Sequence, residues 1–247
     1  MTLPSAFDFF GAPVHPWTMD QTVQEIGRRL AANQFTQHVV VNVAKIVHLQ
    51  DDARLRQSVV DCDIVNIDGQ GVVWGARFLG HEVPERVAGI DLFERLLQLA
   101  SETGDSVFFL GAEEAIVART AEVLQARYPK LNIAGFHHGY FWDNEEAVVE
   151  KIRASGARLL FVAITSPKKE NFINKWKDRL GVGFVMGVGG TFDIMAGKTQ
   201  RAPVWMQKAG LEWFYRVLQE PGRMWKRYFT TNLEFAVMLL KAKFGRR

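Results

Sequence analysis

The chain has 247 residues and is 48% hydrophobic, enough for one large domain, or one domain with an appendage, around a sizeable core. Its single cysteine, Cys62, excludes a disulfide framework and any cysteine-based zinc site, and favours a reducing compartment. The net charge of +3 hides an asymmetry: from Lys198 onward eleven Lys/Arg face three Asp/Glu, a balance of +8, while the preceding body carries −5. A basic tail on an acidic body suits a polyanion, either anionic lipid or nucleic acid; the plainer alternative is a solvated face. The N-terminus lacks a basic segment followed by an apolar one, so no signal peptide is expected. No run reaches ~18 uninterrupted apolar residues, so no membrane-crossing helix is expected.

In chain order, Ala6 to Trp17 is apolar, and with Pro13 and Pro16 it reads as irregular. Asp20 opens a helix with Val23, Ile26 and Leu30 on one face. A β-branched strand at Gln37 to Asn42 leads to a helix from about Ala44 to Gln57. Ile64 to Ile67 is a second strand, ending on Asp68-Gly69. Helical spacing follows at Val72 to Leu79 and Asp91 to Ala100. Strands at Ser106 to Leu110, Leu131 to Phe136, Arg158 to Ile164 and Phe184 to Met186 alternate with helices at Glu113 to Arg127, Asn144 to Ala154 and Glu170 to Leu180. Strands that are nearly continuous apolar runs, alternating with helices, indicate a mainly parallel sheet covered on both faces. The expected fold is α/β, Rossmann-like and doubly wound, over residues 1–196. Residues 197–247 form a basic, amphipathic, helical C-terminal appendage. In it Leu211, Phe214 and Leu218 share a face, part of which is expected to pack on the core. Pro221-Gly222 then stops that helix, and Thr231 to Glu234 resembles a capping box opening a last one.

Ligands of such folds bind at the carboxyl ends of the strands. Those ends carry Asn42, Asp68-Gly69, Gly111, His137 to Phe141, the SPKKE segment and Gly189-Gly190 with Asp193. Gly111 reads as a tight turn in preference to a phosphate contact. There is no G-x-G-x-x-G after the first strand and no Walker-type loop, which argues against an ordinary dinucleotide enzyme or NTPase. Asp68, between an apolar strand and a glycine, is the best candidate base, because partial burial raises a carboxylate's pKa; the alternative is a helix cap. Asp61-Cys62-Asp63 is a D-x-D, but it precedes its strand instead of ending it. His137 and His138 lack partners at ligand spacing, so no metal site is expected.

The segments ERVAGIDL, Asp68-Gly69, HHGYF, SPKKE, GVGGTFDIMAGKTQRAP and LEWFYRVLQEPGR resemble, in order and spacing, the WecG/TagA/CpsF glycosyltransferases (glycosyltransferase family 26), from about Phe9 to Arg227. The resemblance implies a peripheral enzyme of the cytoplasmic membrane face. Such an enzyme moves a hexose, N-acetylmannosamine-type or glucose, from a UDP-sugar to a polyprenyl-diphosphate-linked saccharide with inversion, in cell-surface or exopolysaccharide synthesis. Residues 1–196 would bind the UDP-sugar, and 197–247 would complete the site and reach the membrane. By position Asp68 matches the base and Arg86 an arginine tied to the departing diphosphate. Asn42, Tyr140, Gly189, Gly190 and Asp193 match residues around nucleotide and sugar, and Lys169 falls at a further substrate-binding position. Arg216 and Arg223, continued by Lys226 and Arg227, match basic positions toward the acceptor diphosphate and an anionic membrane surface. No cofactor or metal is implied, no nucleic acid, and homo-oligomers are compatible with the pattern. Two departures bear on the donor: Lys169 stands where the family usually has Gln, and Val40 where many members have Thr. A scaffold that has lost activity, and a nucleic-acid binder using the tail, are the competing classes; no nucleic-acid reader motif is present.

Overall fold

The structure, a computed structural model, describes residues 3–245, with the side chains of Arg223, Met224 and Arg227 outside that description. A hairpin, β1 (Phe7–Phe9) and β2 (Ala12–Val14), precedes α1 (Met19–Ala31). Then come β3 (Thr36–Val41), α2 (Val43–Asp51), α3 (Ala53–Val60), β4 (Ile64–Ile67), α4 (Gln70–Phe78) and α5 (Gly89–Thr103). The second half runs β5 (Ser106–Gly111), α6 (Glu114–Arg127), β6 (Asn132–His137), α7 (Glu145–Ala154), β7 (Leu159–Ala163), α8 (Lys168–Trp176) and β8 (Phe184–Gly187). Four helices close the chain: α9 (Thr191–Met195), α10 (Val204–Lys208), α11 (Glu212–Gln219) and α12 (Pro221–Phe244).

Six strands form one all-parallel sheet in the order β4-β3-β8-β7-β5-β6, the expected α/β fold. Side chains alternate between its faces as the pleat requires. Ile64, Phe161, Phe184 and Met186 join α1, α5, α6 and α9 on one face. Val39, Val41, Val65 and Ile67 meet the hairpin, α2, α3, α4 and α12 on the other, where Leu160, Val162 and Val185 continue the layer under α7 and α8. Gly111 is a packing glycine, as its sequence context suggests. It has φ +127°, and a Cβ there would lie 2.3 Å from the Ala163 carbonyl oxygen, so no other residue lets β5 and β7 meet at that point.

Three local expectations are corrected. Ala6 to Trp17 is not irregular: Phe10 and Gly11, both at positive φ, turn the chain into the hairpin. Pro13 is tolerated because a two-stranded ribbon has only edges. The helix expected from Ala44 to Gln57 is two helices, broken at Asp52, whose carboxylate accepts the Leu55 N–H at 2.9 Å and caps α3. The last helix begins at Pro221, ten residues before Thr231. Proline ends α11 but suits the first turn of α12, where its missing N–H has no intrahelical role. Thr231 is therefore a buried mid-helix residue and not a cap.

Candidate active site

The chain leaves β3 for α2 on one face of the sheet and leaves β8 for α9 on the other. Divergence of neighbouring connections opens a crevice beyond the strand ends, the usual place for a ligand in this architecture. Asn42 follows β3, Asp68 follows β4, and Gly189-Gly190 with Asp193 follow β8 around that crevice.

Asp68 carries the clearest chemistry. The residue is partly exposed, yet its carboxyl is raised above the ordinary value of 3.8, chiefly because burial removes water from the charge. Arg86 and Arg216 pull the other way, Glu212 adds to the rise, and the Gly89 N–H donates to the carboxylate. The helix-cap alternative fails: α4 is preceded by Gly69 and has no side-chain cap. The carboxylate instead meets the first turn of α5. The close packing here needs small residues, for a Cβ on Gly69 would come within 3.1 Å of the Asn42 Cβ, and one on Gly89 within 3.4 Å of Val40 Cγ2.

Around Asp68 lies a network of arginines and carboxylates. Arg86 reaches the Asp68 carbonyl oxygen at 3.5 Å and donates from Nη1 to Glu212 Oε2 at 2.5 Å. Arg201 donates from Nη1 and Nη2 to Asp91 at 2.5 and 2.9 Å, and from Nε to Glu212 Oε1 at 3.2 Å. A cavity of about 30 Å³ lies beside them, lined by Thr199, Gln200, Arg201, Glu212 and Arg216 among others. Arg201, Glu212 and Asp91 sit inside the sequence motifs, but nothing in a linear reading singles them out. Glu212 enters the site because the turn after α10 brings the first residue of α11 beside Arg86 and Arg201.

The other expected residues divide. Asn42 is beside Gly69, with its carboxamide oxygen capping α2 through the Lys45 N–H at 3.0 Å. Gly189 has φ +55° and open space where a Cβ would point, and Asp193 is paired loosely with Lys198 at 3.6 Å. Arg216 lines the small cavity, and Lys226 is exposed on α12. The Arg223 and Arg227 side chains lie outside the described residues. Tyr140 is exposed on the segment after β6, which turns back over the end of β5, where the Gly139 N–H donates to the Ala112 carbonyl at 2.8 Å. The Tyr140 N–H donates to His138 Nδ1 at 3.1 Å. Lys169 is buried against β8 on the face opposite Asp68: its side chain crosses Gly187, and its ammonium pairs with Glu170 at 3.0 Å. Glu170 also pairs with Lys45 at 2.7 Å, and the two lysines hold its carboxyl far below the usual range despite burial. The D-x-D carboxylates are committed to the fold, Asp63 to Arg29 and the Gln37 N–H, Asp61 to Asn174, Gln57 and Lys177.

The family model described as "Glycosyl transferase WecG/TagA/CpsF family" matches residues 7–247. The chain belongs to that family. It is also 39% identical, over 165 residues, to the N-acetylglucosaminyldiphosphoundecaprenol N-acetyl-beta-D-mannosaminyltransferase of Bacillus spizizenii. That alignment covers 67% of this chain and 63% of the relative, so it spans less than two thirds of the relative's length.

The tail of this WecG/TagA/CpsF member behaves in two ways. The C-terminal half of α12 is docked, with Phe235 in the core and Met238 and Leu239 packed against the same cluster. Helix α11 has no buried residue, contrary to the expectation that part of it packs inward, and Trp213, Phe214 and Leu218 are exposed. Trp225 and Phe229 extend this apolar surface onto the first turns of α12.

Proposed function

We propose that the protein transfers a hexosamine of the N-acetylmannosamine type from a UDP-sugar to a lipid-linked diphosphosaccharide, with inversion. The observation that carries this reading is Asp68: a carboxylate of raised pKa at the mouth of the crevice, with Arg86, Arg201 and Arg216 around it. A single displacement at an anomeric carbon needs a base for the acceptor hydroxyl and positive charge for the departing diphosphate. One carboxylate and three guanidinium groups meet both needs from the chain itself, without a metal. The B. spizizenii relative, named for N-acetylmannosaminyl transfer to a diphosphoundecaprenol-linked sugar, supports this donor and acceptor class. Lys169 pairs with Glu170 on the face of the sheet opposite Asp68, which is compatible with this donor class.

The acceptor class favours a reading of the tail as well. No helix among the described residues is long and apolar enough to cross a membrane. Helix α11 turns Glu212 toward the body and leaves Trp213, Phe214 and Leu218 in solvent, the reverse of a core-packing helix. Aromatic residues flanked by lysine and arginine suit an anionic interface, where the protein acts peripherally on the cytoplasmic side. In this reading residues 197–247 complete the site as well as seat it on the lipid.

The test is thermal denaturation of the full chain against UDP, UDP-N-acetylmannosamine, UDP-glucose, GDP and NAD. A native-state ligand raises the melting temperature by mass action. A rise with UDP and UDP-N-acetylmannosamine, and none with GDP or NAD, is expected. A flat response to every uridine compound would overturn the reading.

A further inference from the structure

Glu212 occupies an unusual position for a residue on a helix with no buried side chain. Its two oxygens are shared between two guanidinium groups, Oε2 to Arg86 at 2.5 Å and Oε1 to Arg201 at 3.2 Å. A carboxylate bridging two arginines presents the charge and acceptor geometry of a phosphoryl group. Arg201 is fixed independently of it, and Arg86 has one further, long contact. Arg86 leans on the Asp68 carbonyl, and Arg201 is held by both oxygens of Asp91 in the first turn of α5. Among the described residues the Glu212 side chain bonds only these two arginines, from a helix, α11, that is eight residues long with nothing buried.

Space and charge agree. The cavity beneath α11 is about 30 Å³, room for a water and too small for a diphosphate. Among the described groups Arg86, Arg201 and Arg216 balance Asp68, Asp91 and Glu212, so a diphosphate enters without a large electrostatic cost only if one carboxylate leaves. Asp68 is the base and Asp91 anchors Arg201, which leaves Glu212.

Resting on the glycosyl-transfer reading above, we propose that Arg201 binds diphosphate together with Arg86, and that Glu212 holds the diphosphate's place between them until ligand displaces it. Displacement frees α11 from the body, so occupancy of the site and the placement of the exposed Trp213–Leu218 surface are coupled. The diphosphate belongs either to the nucleotide donor or to the lipid-linked acceptor, and both share the same chemistry.

The test is calorimetric titration of the full-length protein and its Glu212→Gln, Arg201→Gln and Arg201→Lys variants with inorganic pyrophosphate, UDP, geranyl diphosphate and UMP. Removing the competing charge in Glu212→Gln tightens pyrophosphate binding roughly tenfold, the effect of one lost charged contact, and leaves UMP nearly unchanged. Arg201→Gln weakens pyrophosphate by a similar factor, and Arg201→Lys recovers part of it. Tightening toward UDP assigns the clamp to the donor, and tightening toward geranyl diphosphate assigns it to the acceptor. A purely structural Glu212 gives equal or weaker pyrophosphate binding in Glu212→Gln, and that result overturns the proposal. If UDP binds while neither variant alters any diphosphate affinity, the clamp falls and the nucleotide reading stands. If pyrophosphate follows the expected pattern while UDP does not bind, the clamp stands and the nucleotide-donor reading falls. Absence of binding by any diphosphate to wild type and Glu212→Gln alike also overturns the clamp.

Discussion

Phe235→Ala tests how the tail is held. The ring is 5% exposed. It sits over Gly75 of α4, where a Cβ would come within 2.8 Å of Phe235 Cζ and 3.1 Å of Leu239 Cδ2. It also meets Phe9 and Phe10 of the hairpin, with ring centroids 6.2 and 6.3 Å away. Truncating a phenylalanine packed on three sides costs about 3–5 kcal/mol from lost transfer energy and the cavity left behind. For a chain of this size each kcal/mol moves the melting temperature by about 2–4 °C, so a loss on the order of 6–20 °C is expected. If α12 detaches before the body melts, the same energy appears as early cleavage of α12 in limited proteolysis. Gly75→Ala forces a methyl group against the ring and costs about 1–3 kcal/mol by overpacking. The double variant Gly75→Ala/Phe235→Ala must then be more stable than the sum of the two, because the methyl enters the space the ring vacates. A Phe235→Ala protein with unchanged melting and unchanged proteolysis would refute the docking of α12 on which the geometry of the site depends.

Three further outcomes are expected. His38 is buried and bonded through Nε2 to Asn66 Oδ1 at 3.0 Å, and burial lowers its pKa from 6.5 to about 4. The unfolded chain therefore binds the proton first. Stability from this residue is intact above the unfolded value and falls by about 2 kcal/mol between pH 7 and 5, and urea titrations at both pH values should show a shallower loss in His38→Gln. Ionised Asp68 is disfavoured by burial, so Asp68→Asn should raise the melting temperature at pH 7, and the gain should vanish as pH falls to the unfolded carboxylate value, where wild type is also neutral. Replacing Trp213, Phe214 and Leu218 together with alanine should weaken binding to phosphatidylglycerol vesicles at least tenfold and leave UDP affinity unchanged; sedimentation with the vesicles measures the first and calorimetry the second.

The sheet was legible because its central strands are runs like Leu159–Ala163, which is buried along its whole length, and such runs have few other uses; only the edge strand β6 is partly exposed throughout. The breaks were less so. Asp52 and Pro221 restart a helix where a linear reading sees continuation or an end, since one side-chain cap or one missing N–H decides between them. At the site, Asp68 could be found from its place after an apolar strand. Arg86 came from resemblance, and the structure sets its guanidinium between the Asp68 carbonyl and Glu212. Arg201 and Glu212 were invisible as a pair, because their meeting depends on how the chain turns back through α10 between them. For Lys169 the sequence showed only the departure from the family pattern; that its side chain, from the first turn of α8, crosses Gly187 of β8 and pairs with Glu170 depends on how α8 packs on the sheet.

The most direct measurement is single-turnover transfer of N-acetylmannosamine from its UDP-sugar to a diphospholipid-linked N-acetylglucosamine, comparing wild type with Asp68→Asn at saturating donor. Loss of a general base lowers the rate by about 10²–10⁴-fold, with UDP binding and folding retained. Undiminished transfer by folded Asp68→Asn would contradict the assignment of Asp68 as the base.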